Sequence, residues 1–200
     1  MLSAETITGR VVGVGPDLLR VALLNTVATL LGGDDVRLEI VVDAGLTLEL
    51  IDIAATVAYH GRGRPASWRT SARVGAASVL RWRTEPFVVS DGAEVRRVFT
   101  AELDAGAGLD IDERIVLGRH GEAGGRLKSV VSIDLAGEPV VREETRYAGA
   151  GGLQRFVRGG AREIRTRSVI GSASEAFEPP AEATVLNLAD NGGCICRTFA

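Results

Sequence analysis

Apolar and polar residues alternate one by one along this chain. A backbone that buries every second side chain is a strand, because successive side chains of a strand leave opposite faces. Val36, Leu38, Ile40 and Val42 have Arg37 and Glu39 between them, and Leu46, Leu48 and Leu50 alternate with Thr47 and Glu49. Val95, Phe99, Ala101 and Leu103 share one parity against Glu94, Arg96 and Glu102. Leu127, Ser129, Val131, Ile133 and Leu135 repeat the arrangement. Asp43-Ala44-Gly45, Val74-Gly75-Ala76, Asp91-Gly92-Ala93, Asp104 to Gly108 and Ala136 to Pro139 punctuate the runs. Glycine supplies the positive φ of a tight turn, and Asp bonds its own backbone there. Strands punctuated in this way predict an all-β stack and not alternating βα units. The glycines at 45, 75, 92, 106 and 137 are unevenly spaced. That predicts repeated hairpins or irregular solenoid coils in place of a strict short-period β-helix.

Composition narrows the function classes. At 200 residues and 46% hydrophobic, the chain can bury a core, which excludes a disordered protein. Twenty-five glycines against 4% aromatics imply a core of Val, Leu, Ile and Ala. A net charge of -3 argues against a protein that coats nucleic acid. No run of about 18 apolar residues suits a membrane-spanning helix, and Met1 to Arg10 lacks the apolar stretch of a secretory signal. Cys194 and Cys196 stand too close together for a disulfide framework, so a reducing cytoplasm is expected. Gly152 to Arg167 fits either a short, glycine-interrupted helix or irregular strands, and Thr184 to Leu188 fits a terminal strand. Ala148 to Gly152 is the weakest linker candidate, and residues 1–200 are read as a single domain.

Five constellations are candidates for chemistry. Glu113 falls on the apolar parity of Leu109, Ile111, Ile115 and Leu117, where a carboxylate needs a metal, solvent, a core arginine or a bulge that turns it outward. Arg62, Arg64, Arg69, Arg73, Arg81 and Arg83 lie in an acid-free stretch with Trp68 and Trp82. Arg and Trp anchor protein interfaces, and the negative net charge favours that reading over stacked nucleic acid. His60 and His120 read as loop histidines, or as ligands of a metal-dependent hydrolase on a β-barrel if a carboxylate joins them. The Cys194/Cys196 thiols share a strand face and could take a soft metal. Leu31 to Asp35 lacks the Lys and Ser/Thr of a phosphate loop and reads as a connection whose Asp satisfies backbone donors.

In sequence order, four segments resemble the urease accessory protein UreD (UreH) family. They are Leu30-Leu31-Gly32-Gly33-Asp34; Ala54-Ala55-Thr56 with Tyr59; Trp82 to Pro86 with Asp91-Gly92-Ala93; and Glu113 to Arg119 with Gly121-Glu122. The likeness runs from about Leu30 to Tyr147. Ile53, Val57 and Thr84 depart from the family's usual Gln, Lys and Pro. The resemblance implies a mainly β fold of stacked, superhelical strands, an irregular β-helix or sandwich, with one or two short helices toward the C-terminal part. It implies a non-catalytic scaffold that works with UreF, UreG and the urease apoprotein and passes nickel onward as a transient cargo. A homodimer within the UreF-containing complex, with no nucleic-acid or membrane partner, goes with that reading. On this basis Asp34, Glu85 and Glu113 are expected to line or gate the nickel path. Either the Arg/Trp stretch, with Trp82, Arg81 and Arg83, or the Arg142-to-Arg167 stretch is expected to form the docking surface for UreF or urease. The rivals are the hydrolase and a β-solenoid binding module.

Overall fold

A computed structural model describes residues 7–26, 30–149, 161–189 and 192–200. Its strands in chain order are β1 (Ile7–Val14), β2 (Leu18–Asn25), β3 (Asp35–Val42), β4 (Thr47–Asp52), β5 (Thr56–Ala58), β6 (Ala66–Val74) and β7 (Val79–Arg83). They continue with β8 (Phe87–Val89), β9 (Glu94–Leu103), β10 (Gly108–Leu117), β11 (Arg126–Leu135), β12 (Glu138–Ala148), β13 (Glu163–Gly171), β14 (Thr184–Asn187) and β15 (Gly193–Phe199).

The strands form a β-solenoid of about four coils. Each coil crosses a ten-stranded sheet and then returns through a five-stranded one. In the first sheet β2, β4, β7 and β10 stack in parallel, with β5 and β8 as a short second rung. In the second sheet β3, β6, β9 and β11 do the same. Antiparallel strands close both ends: β1 on β2, β12 on β11, and β13, β15 and β14 beyond β10.

Along the long strands stacked residues lie 29 or 32 positions apart in sequence, as in Leu18–Thr47–Val79–Gly108 and Asp35–Ser67, and along the short rung 31 and 28, as in Thr56–Phe87–Ile115. The glycine spacing looked uneven because two corners interleave. Gly45, Gly75 and Gly106 belong to one corner, and Gly33, Gly63, Gly92 and Gly121 to the other. Ala77 and Arg62 take positive φ at these corners without being glycine.

Alternation sets the core. Inward residues form one apolar cluster around Ile40, Leu50, Leu80, Ile111 and Ile133, and a second around Val36, Trp68, Phe87, Ile115 and Leu127. The stacked β architecture agrees with expectation, and Thr184 to Leu188 contains the expected strand. The C-terminal helices do not appear as α-helices among the described residues, which hold a 3-10 turn at Ser172–Ser174. Within Gly152 to Arg167, the described part from Glu163 is strand β13, and positions 150–160 lie outside the described residues. An open solenoid also replaces the barrel that the hydrolase reading required. No helix among the described residues is long and apolar enough to cross a membrane.

The corners differ in what they tolerate. A Cβ on Gly32 would lie 2.4 Å from the Gly61 carbonyl oxygen of the next coil, whereas a Cβ on Gly45 would meet nothing within 4 Å. Gly32→Ala should lose about 2–3 kcal/mol through overpacking. Gly45→Ala should lose only about 1 kcal/mol, for its positive φ of 76°. Urea denaturation of the two variants checks the order.

Candidate functional site: a polar seam inside the solenoid

Between the two apolar clusters the solenoid interior turns polar. On the ten-stranded sheet the inward column starts with Leu23, which stacks on Asp52. Thr84 follows, just past β7, with its N–H donating to the Asp112 carbonyl. Glu113 comes next, registered with Thr166, which is registered with Arg197. Across the interior, Trp68 stacks on Arg97, Arg97 on Ser129 and Ser129 on Thr145. The neighbouring column runs Leu38, Thr70, Phe99, Val131 and Glu143.

The charged groups of the seam have partners, and the partners differ. Arg97 donates through one guanidinium nitrogen to Glu113, and both side chains are at least three-quarters buried. The Arg97 guanidinium also lies 5.1 Å from the centre of the Phe87 ring, which Trp68 meets edge-on at 6.0 Å. Arg197 grips Glu143 with two bonds, 2.9 and 3.1 Å, and donates a third, 3.2 Å, to Thr166. Burial raises the Glu143 carboxyl, but the Arg197 bonds outweigh it and hold the group below the usual range. Asp52 has no such cation in contact. The Trp82 indole donates to it at 2.9 Å and the Glu85 backbone N–H joins, yet burial dominates and pushes its carboxyl up to about 6. A cavity of about 20 Å³ beside Glu113, lined also by Ser129, Thr145, Thr166 and Arg197, has room for one water.

The expected site residues are dispersed. Glu113 faces inward and meets a core arginine, one of the alternatives its parity left open. Glu85 is exposed at the bend after β7 and reaches the seam through its backbone bond to Asp52. Asp34 stays at a corner, where its carboxylate accepts the Leu31 N–H at 2.7 Å. Trp82 requires correction as a surface anchor. It is 6% exposed and points inward, because Leu80 and Trp82 take the core parity of β7. Arg81 and Arg83 are on the outer face, the first 3.6 Å from Glu49 and the second clamped to Asp110 at 2.7 and 3.1 Å. The Arg/Trp stretch is also divided, since Arg69 and Arg73 belong to β6 on the other sheet. Of the Arg142-to-Arg167 stretch, Arg165 and Arg167 bind Asp112 and Asp110.

The softer ligands are elsewhere. His60 packs against Gly92 at a corner, and its Nδ1 accepts the Arg62 N–H at 3.0 Å. The Cys194 and Cys196 sulfurs lie 3.8 Å apart, both buried, on the face of β15 opposite Ile195. Burial, with the neighbouring thiol, pushes Cys196 up to about 11. No group of three or more His, Cys, Asp or Glu poised to hold a metal ion occurs among the described residues. Asp52, Arg97, Glu143 and Arg197 were missed in the sequence, although Asp52 continues the parity of Leu46, Leu48 and Leu50, and Arg97 falls between Val95 and Phe99.

Asp52 gives the seam a pH signature. Its folded carboxyl titrates above its unfolded value of 3.8, so the folded state holds the extra proton between about pH 4 and 6. This group therefore favours folding at the acid end of that window and opposes it as pH rises through 6. Asp52→Asn, which keeps an acceptor for Trp82, should gain roughly 2–3 kcal/mol over wild type at pH 7 and little at pH 4. Denaturation at the two pH values measures the difference.

The family described as UreD urease accessory protein matches residues 10–200. The chain is 39% identical over 128 residues to urease accessory protein UreD 1 of Streptomyces griseus subsp. griseus, covering 64% of this chain and 50% of that protein. It is 42% identical over 120 residues to the UreD of Frankia alni, covering 60% and 40%. A longer match, 31% identical over 187 residues, covers 90% of this chain and 71% of a Saccharopolyspora erythraea UreD. The chain thus spans half or less of the first two relatives.

Proposed function

The chain belongs to the UreD urease accessory protein family, and from that premise we propose that it acts in urease maturation as a non-catalytic conduit. In this reading nickel enters the solenoid near Glu85 and Asp52, passes Glu113, and leaves past Glu143, or runs the reverse course. The observation that carries it is the set of polar side chains between the two apolar clusters: Asp52 and Thr84, then Glu113 and Thr166 on one sheet, with Arg97, Ser129 and Thr145 on the other.

The chemistry of the seam suits transfer. Ni²⁺ binds nitrogen and sulfur ligands tightly, so a protein that must release it does better with oxygen donors. Asp52, Glu113 and Glu143 provide carboxylates, and Ser129, Thr145 and Thr166 provide hydroxyls. Three carboxylates stand against the two guanidiniums of Arg97 and Arg197, which leaves a slight excess of negative charge to attract a cation. UreF, UreG and the urease apoprotein are the proposed partners, with nickel as the cargo they exchange. Asp34 is outside this route.

The outer face of the ten-stranded sheet is the proposed docking surface. Arg81 suits contact with an acidic patch, being nearly half exposed and only loosely paired at 3.6 Å. Arg81→Glu should reduce co-purification with UreF at least tenfold while leaving the thermal midpoint within a few degrees. Undiminished co-purification would remove this face.

The conduit is tested by Glu113→Gln. Urease matured with this variant should assemble normally but hold less than half its nickel by elemental analysis, whereas Asp34→Asn should leave the nickel content unchanged. Full loading by a folded Glu113→Gln protein would refute the proposal.

A further inference from the structure

We propose that Arg97 is the gate of the seam: its guanidinium closes Glu113 until a divalent cation displaces it, and the Phe87 ring holds it while the cation passes. The inference rests on the conduit reading and names the regulation of that same path.

The two ion pairs of the seam are built differently. Arg197 is tied three ways, by two bonds to Glu143 and one to Thr166, and Thr145 donates to the same carboxylate at 3.1 Å. Arg97 meets Glu113 through one nitrogen. Its second contact is the Phe87 face at 5.1 Å, which does not depend on the carboxylate. An arene face attracts a guanidinium by its quadrupole, so Arg97 keeps a favourable partner after losing Glu113. The ring is itself held, edge-on against Trp68 and 7% exposed, and forms a fixed resting place. Arg97 is thus the charge that can move, and Arg197 the one that stays.

The exchange also balances electrostatically. A closed Glu113–Arg97 pair is neutral and presents a positive guanidinium to an incoming cation. A dication outcompetes a single positive charge for the carboxylate, and the hydroxyls of Ser129, Thr145 and Thr166 lie around the same small cavity. Monovalent cations lack that advantage, so the pair filters by charge. When the dication moves on, Arg97 returns and prevents Glu113 from retaining the next ion.

The test uses the full chain with nickel chloride as probe. Equilibrium dialysis measures affinity, and stopped-flow transfer to a chelator measures release. Arg97→Met leaves Glu113 unpaired, so nickel should bind about tenfold more tightly and leave correspondingly more slowly, and urease loading should fall although more nickel is held. The double variant Arg97→Met with Glu113→Gln should lose the extra affinity. Phe87→Leu removes the ring but keeps an apolar side chain, and should slow nickel uptake severalfold with Glu113 intact. Unchanged uptake by Phe87→Leu overturns the gate even where Arg97→Met fails to fold. If Arg97→Met binds nickel as wild type does while Glu113→Gln still lowers urease loading, the gate is wrong and the conduit stands. If folded Arg97→Met and Glu113→Gln both leave urease loading unchanged, the conduit itself is wrong.

Discussion

Parallel coils stacked in register are the constraint from which the other features follow. Each long strand's backbone bonds to the coil above and below, so a residue at one position faces its equivalents 29 or 32 positions away. Side chains thereby become columns, and a one-residue slip would turn an entire strand's core outward. Charge placement reinforces the register. One outer column reads Arg20, Glu49, Arg81, Asp110, with alternating sign along the stack. Opposite charges directly across a sheet attract and like charges repel, so a slipped coil would lose the pairing of this column. Arg20 and Glu49 meet at 2.6 Å, and Arg83 and Arg167 close on the same Asp110 from both sides.

The same columns provide an internal comparison for the seam. In the first coil its positions hold Leu23 and Leu38, both packed against the apolar cluster. Further along the stack the equivalent positions hold Asp52, Thr84 and Glu113 on one sheet, and Thr70 and finally Glu143 on the other. The fold therefore accommodates leucine there, and well-packed apolar residues in place of buried ion pairs are often neutral or stabilising. Stability alone gives no reason to build Glu113–Arg97 and Glu143–Arg197 into the interior. Removing one member of such a pair strands a charge and costs about 3–5 kcal/mol, so the pairs are maintained together.

How much of this was legible depended on the size of the inward residues. β3, β9, β10 and β11 have Val, Leu and Ile at the core parity and were read close to their observed limits. β6 hides its alternation because Ala66, Thr70 and Ala72 are small or polar, so its arginines drew attention first. In β12 the inward Glu143 and Thr145 break the apolar run. Glu113 could be found because four large apolar residues flank it at even spacing. Asp52 ends its strand and has no such flank on its far side. Arg97 was harder still: between Val95 and Phe99 it looks like an interruption, and only the stack on Trp68 and Ser129 identifies it as interior. The glycine spacing misled for a topological reason, since two corners of one solenoid alternate along the chain.

The distribution of ligand types through the molecule bears on what the seam can carry. Imidazole and thiolate are the donors that hold a late first-row dication hardest. Here both histidines sit on corner loops, and both cysteines face away from the interior of the solenoid. Among the described residues the seam is left with carboxylates, hydroxyls and guanidiniums. A row of unpaired carboxylates would bind a dication at each step and stall it, while an apolar wall would exclude it through the cost of desolvation. Glu113 and Glu143, already satisfied by arginine, fall between these limits. Each is available to a dication only by exchange, so the free energy of each step is a difference between two ionic partners and not the full strength of either. At Glu113 and Glu143 that difference is smaller than either attraction alone, and in the proposed conduit such a small difference would let an ion advance without being trapped.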